Sequence, residues 1–209
     1  MVSTSPLLAL PRELRDTIYE DTVLSSPIYL SRRITAMDHG RRFATRSAFS
    51  LVSRQVHVEY NETLDHIALS AHFPNATIEV PITDLDFRNL ITFTHFLQPH
   101  ERTALRSTQL KIKLAFDRVK DASELMNGLA EWADHWFGLG VTARYEYDER
   151  SSVSIRYIWP EVGFWIRMAV EDDWEWKTEM DKVNRVMGKA RKREVARVGM
   201  MEAVRRPAV

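Results

Sequence analysis

The spacing of apolar and polar positions divides the 209-residue chain into helical and extended stretches. Apolar residues returning every three or four positions mark one face of a helix, and strict alternation marks a half-buried strand. Residues 11–24 show the helical pattern, with Leu14 and Ile18 one turn apart. Pro11 suits the first helical position, where its missing N–H has no partner to lose. A second helix is expected from about Ser47, its N-cap, to at least Leu64, with Leu51, Val52, Val56 and Tyr60 along one broad face. Residues 67–72 fit either its continuation or a strand. Between these helices, 25–46 reads as a polar insertion loop opened by Ser25-Ser26-Pro27, with a short strand at 28–30. Arg32, Arg33, Arg41, Arg42 and Arg46 make it basic.

Beyond residue 76 the period changes repeatedly. Residues 77–82 alternate, with Ile78, Val80 and Ile82 on one side. Asp84 is placed to cap a helix over 85–97, and 100–106 form another turn or two. Residues 109–116 alternate again. Asp121-Ala122-Ser123-Glu124 has the form of a capping box, followed by Leu125, Leu129, Trp132 and Trp136 at helical spacing. Gly138 and Gly140 mark that helix's end. Residues 142–148 predict a strand, and so do 153–159 and 162–170, with Trp159-Pro160-Glu161 turning between the last two. Trp176, Met180, Val183, Met187 and Ala190 then open a long helical pattern to about residue 206. The expected fold is α+β: helices at the N-terminus, a mixed sheet with helices mainly on one face, and a long C-terminal helix. Along the sequence this gives a helical region 1–72, an α+β body 73–176 and a basic helix or tail 177–209.

Composition narrows the function classes. Charged residues make up 28% and the formal net charge is zero, so bulk charge points to neither nucleic acid nor a membrane. The absence of cysteine removes disulfides, thiol nucleophiles and thiolate metal sites. No basic region followed by an apolar core opens the chain, and no run reaches the roughly 18 apolar residues of a membrane span. A cytoplasmic or nuclear location is expected.

No catalytic constellation nominates itself. Glu171, Asp172, Asp173 and Glu175 could serve as paired carboxylates, or form a solvated strand end. The seven histidines include no His-x-x-x-His pair beside a glutamate. No Gly-x-Gly-x-x-Gly, phosphate loop or Gly-x-Ser-x-Gly elbow occurs. No catalytic residue, cofactor or metal site is therefore expected. Trp159, Trp165, Trp174 and Trp176 read either as core or as a recognition surface. Lys189, Arg191, Lys192 and Arg193 form a basic tail that reads either as a solvated helix or as a nucleic-acid contact. From residue 179 onward nine Lys or Arg face four Asp or Glu, a modest excess that makes nucleic acid the less favoured partner.

Two segments carry a resemblance. Leu10-Pro11-Arg12-Glu13-Leu14-Arg15-Asp16-Thr17-Ile18-Tyr19 and Leu51-Val52-Ser53-Arg54-Gln55-Val56-His57-Val58-Glu59 are similar to the paired helices of F-box-like domains common in filamentous fungi. The resemblance covers residues 7–64. It implies a non-enzymatic protein–protein interaction protein that docks on a Skp-type adaptor of a cullin–RING ubiquitin ligase and holds a protein substrate through the rest of the chain. By position, the docking residues it implies are Leu10, Pro11, Leu14, Ile18, Leu51 and Val52, set as apolar anchors for a partner's groove. Internal packing is the other reading of the same residues: Leu14, Ile18, Leu51 and Val56 would join the two helices, with Glu13, Arg15, Arg54 and Glu59 as ion pairs fixing their register.

Overall fold

The computed structural model describes residues 6–31, 42–70, 72–73, 76–118, 121–137, 139–172 and 174–205. Over these the chain is α+β, with seven α-helices, five strands and two short 3-10 turns. Helix α1 spans Arg12–Leu24 and is followed by β1 (Ile28–Leu30) and β2 (Phe43–Ala44). Helix α2 spans Arg54–Ala68, and β3 follows at Thr77–Thr83. Helices α3 (Arg88–His95) and α4 (Pro99–Ser107) lead to β4 (Gln109–Ala115). Then come α5 (Ala122–Phe137), β5 (Ala143–Tyr147), α6 (Ile155–Asp172) and α7 (Trp174–Arg205).

The five strands form one sheet in the order β2-β1-β3-β4-β5. β1 pairs antiparallel with β2 and parallel with β3, where Ile28 lies opposite Ile78. β4 runs with β3, because Gln109 N donates to Ala76 O at one end and Asp84 N to Ala115 O at the other. The α3–α4 crossover accounts for that direction, since parallel neighbours need a long connection. The alternating burial of β4 puts Leu110, Ile112 and Leu114 inside.

The chain falls into two compact units that are discontinuous in sequence. One comprises residues 1–80, 89–111 and 141–143; the other comprises 81–88, 112–140 and 144–209. The first buries Tyr19, Val56, Tyr60, Leu64 and Ile67 with Ile78, Leu90 and Phe93. The second centres on Trp132, which stacks on Phe87 at 5.0 Å and donates from Nε1 to the Tyr145 hydroxyl at 2.9 Å. Burial and the neighbouring Glu179 push that hydroxyl's pKa well above its ordinary value, so it stays a neutral partner for the indole.

Several elements depart from the pattern reading. Residues 155–172 are one helix, where two strands were expected. Ile155, Ile158, Trp159, Val162 and Ile166 are the buried positions, a helical period that pairs α6 with α7 and α5. The alternating Val153, Ile155, Tyr157 and Trp159 suggested a strand, but Tyr157 is 69% exposed. Pro160 does not end the helix; it lies inside α6 on the exposed side. Asp84 does not cap α3. Asp84 and Leu85 both adopt positive φ, near 54° and 55°, and the Asp84 carboxylate accepts from Asp117 N and Arg118 N. Asp121 does open α5, accepting from Ser123 N at 3.2 Å, and Gly140 near the helix end has a φ of 62°. Gly138, Arg32, Arg33 and Arg41 lie outside the described residues, as do the side chains of residues 169–176.

Candidate functional site

Helices α1 and α2 pack against each other, and a buried charged cluster fixes their register. Arg15, Tyr19 and Val23 form the inward row of α1, so the buried row lies one residue on from the Leu14–Ile18 row that the sequence suggested. The Arg15 guanidinium donates to both oxygens of Glu59, at 2.8 and 2.7 Å, and to the Leu10 carbonyl at 2.6 Å. Such a two-pronged contact fixes angle as well as distance. The Tyr19 hydroxyl donates to Glu59 at 3.1 Å, and the Gln55 amide adds another bond at 2.9 Å. Arg12 reaches Glu59, Glu62 and Asp16.

The Arg15 hydrogen bonds hold the Glu59 carboxyl down to about 2, against the opposing effect of burial; Gln55, Tyr19 and Arg12 pull the same way. Burial and the adjacent carboxylate raise the Tyr19 hydroxyl. Glu59 therefore stays an anion and Tyr19 a neutral donor across physiological pH. Around them, the Tyr19 ring meets Phe49 and Tyr60 edge-on at 5.6 and 5.8 Å.

The chain enters α2 through a corner, and the second helix starts later than the sequence suggested. Ser47 caps only a 3-10 turn over Ala48–Leu51, accepting from Phe49 N. Ser53 then takes an extended conformation and caps α2, accepting from Val56 N at 3.2 Å. A serine hydroxyl that satisfies a first-turn amide stabilises this break against a continuous helix. Pro11 likewise precedes the first turn of α1, its carbonyl accepting from Arg15 N.

These corners decide where the six candidate docking residues stand. Leu14 is 53% exposed, Leu51 86% and Val52 48%. Pro11 is exposed, and Leu10 and Ile18 are half-buried. Leu14 and Leu51 do not pack the helices together; Val56, fully buried, does. Of the ion-pair candidates, Arg15 and Glu59 meet, while Glu13 and Arg54 are exposed. Tyr19 was missed as a partner of Glu59; its signal was the one-turn step from Arg15.

The other candidates are dispersed. Arg42 of the basic loop is tied to Glu101 at 2.7 Å and Asp65 at 3.4 Å, and Arg46 lies over the Tyr29 ring. Trp159 is core, whereas Trp165 is half-exposed beside Phe164. Lys189, Arg191, Lys192 and Arg193 are all exposed on α7. The carboxylates of Glu171, Asp172, Asp173 and Glu175 and the rings of Trp174 and Trp176 lie outside the described side chains. Among the described residues, no three His, Asp or Glu side chains are grouped to hold a metal, and no helix is long and apolar enough to cross a membrane. No protein-family model, curated protein or solved structure matches the chain.

Proposed function

We propose that this chain is a non-enzymatic interaction protein, an F-box-like substrate-recognition adaptor of a cullin–RING ubiquitin ligase, whose first two helices dock on a Skp-type protein. One observation carries the reading: Leu14, Leu51 and Val52, three of the six candidate docking residues, stand in solvent. The helix pair is fixed from within by Arg15, Tyr19 and Glu59 and does not need them. Burying one leucine in a partner's groove is worth about 2 kcal/mol, so a few such anchors supply a useful share of a micromolar affinity. The substrate in this reading is a protein that meets the exposed Tyr157, Phe164, Trp165 and Met168, which recur along one side of α6.

The test mixes the purified chain with a Skp-type adaptor and measures binding by calorimetry. The expected outcome is a complex with a dissociation constant on the order of 1 µM, weakened at least about tenfold by Leu14→Asp or Leu51→Asp. Both sites are exposed, so the variants should melt like the parent. If the unmutated chain stays unbound at about 10 µM adaptor, the reading fails.

A further inference from the structure

β5 stands at the edge of the sheet, paired with β4 on one side only. Asp148 N donates to Leu114 O on β4 at 2.8 Å. Main-chain groups along a strand point alternately to its two sides, so those of Arg144 and Glu146 turn towards β4 as well. Those of Tyr145 and Tyr147 turn to the open side. Such a row of N–H and C=O groups is a template for one more strand.

A cleft of about 640 Å³ lies along this edge. Arg144, Tyr145, Glu146 and Tyr147 all line it. Successive side chains leave a strand on opposite faces, so a cleft that meets all four follows the edge rather than one face. α7 supplies another wall, where Lys189, Arg193 and Arg197 are exposed. These cations stand four positions apart, a rise of about 6 Å each along a helix. Side chains on one face of a strand recur about every 6.6 Å. Two steps therefore cover about 12 Å on the helix and about 13 Å on a strand laid beside it. The acids of the lining offset little of this row. Glu146 lies 3.5 Å from Arg144, and Glu194 is half-buried with one carboxylate oxygen closed to solvent. Glu149 lies past the end of β5.

We propose that this cleft takes an extended segment of a partner protein as a sixth strand on β5, with acidic side chains at alternate positions meeting Lys189, Arg193 and Arg197. Main-chain bonds to Tyr145 and Tyr147 hold the segment, and the row of cations sets the preference. A concave edge walled by a helix admits a single extended chain. A second copy of this edge would set its own α7 cations against these. The site is separate from the apolar side of α6, does not rest on the adaptor reading and is tested without an adaptor.

Fluorescence anisotropy on the full chain decides it, with a labelled, end-capped seven-residue peptide in which valine and glutamate alternate. Its dissociation constant should be on the order of 10–100 µM. The same residues with the glutamates in succession, or with lysine in place of glutamate, should bind at least about tenfold more weakly. N-methylation of all the valine amides, or of all the glutamate amides, removes the donors along one edge of the peptide. One of these two peptides should lose binding and the other keep it. Arg193→Glu should weaken binding at least about tenfold, while Arg191→Glu, off the cleft, should leave it unchanged. Both arginines are exposed, so neither variant should shift the melting temperature. The proposal is overturned if the alternating peptide fails to bind at about 1 mM. It is equally overturned if both N-methylated peptides bind like the parent, or if Arg191→Glu weakens binding as much as Arg193→Glu does. A chain that is dimeric and binds no peptide until Glu146→Arg makes it monomeric would assign the edge to a second copy and overturn it too.

Discussion

Glu59 shows how one side chain organises the first unit. Its carboxylate is almost fully enclosed and satisfied by Arg15, Tyr19 and Gln55. Removing its charge leaves the Arg15 guanidinium buried without a counter-charge, so Glu59→Gln should cost about 3 kcal/mol in a urea titration. The pH dependence has a defined sign. The folded carboxyl sits at about 2, below the roughly 4.3 of an unfolded glutamate, so its stabilisation is complete above that upper value. It then drains away as pH falls towards about 2. Stability measured across this window should fall more steeply for the parent than for Glu59→Gln; parallel curves would remove Glu59 as the source. The pairing of Arg15 with Glu59 was legible as charge spacing along two helices. That it would be buried, with Leu14 turned outward, was not.

At the level of elements, the docking of α5 depends on a missing side chain. A Cβ on Gly128 would lie 2.4 Å from the Leu85 carbonyl oxygen, in the turn where Asp84 and Leu85 adopt positive φ. Two effects oppose each other in Gly128→Ala. Alanine gains up to about 1 kcal/mol in helix propensity. The contact is with backbone, so relief requires shifting the helix or a turn already strained, at a cost of about 1–3 kcal/mol. The clash should win, and thermal unfolding should show a lower midpoint; a raised midpoint would mean that α5 has room to move. Other elements followed local pattern closely: α5 from its apolar row and Asp121, β4 from its alternation. α6 did not, because over seven residues alternation and helical period share too many positions. Burial of Ile158 and Val162, rather than of Tyr157, is what separates them.

For the molecule as a whole, formal neutrality at pH 7 removes a barrier to self-association. Exposed Leu14, Leu51, Phe164 and Trp165 add apolar surface. Light scattering of the purified chain should therefore peak near neutral pH and fall when pH moves by about two units either way. A flat profile would place the cause of any association in the apolar residues alone.

Near-neighbour spacing was enough to read the α+β class, the helical N-terminus, the strands at Thr77–Thr83, Gln109–Ala115 and Ala143–Tyr147 and the long last helix. The sequence also supplied the two motif segments on which the adaptor proposal rests. The tertiary structure decided which side of each helix faces inward, since that depends on partners distant in sequence: Arg15 finds Glu59 across 44 positions. It alone set the open edge of β5 beside α7 and split the basic tail between two faces of α7. Spacing along a chain sets what an element can be, and packing between distant segments sets which of its atoms are left for a ligand.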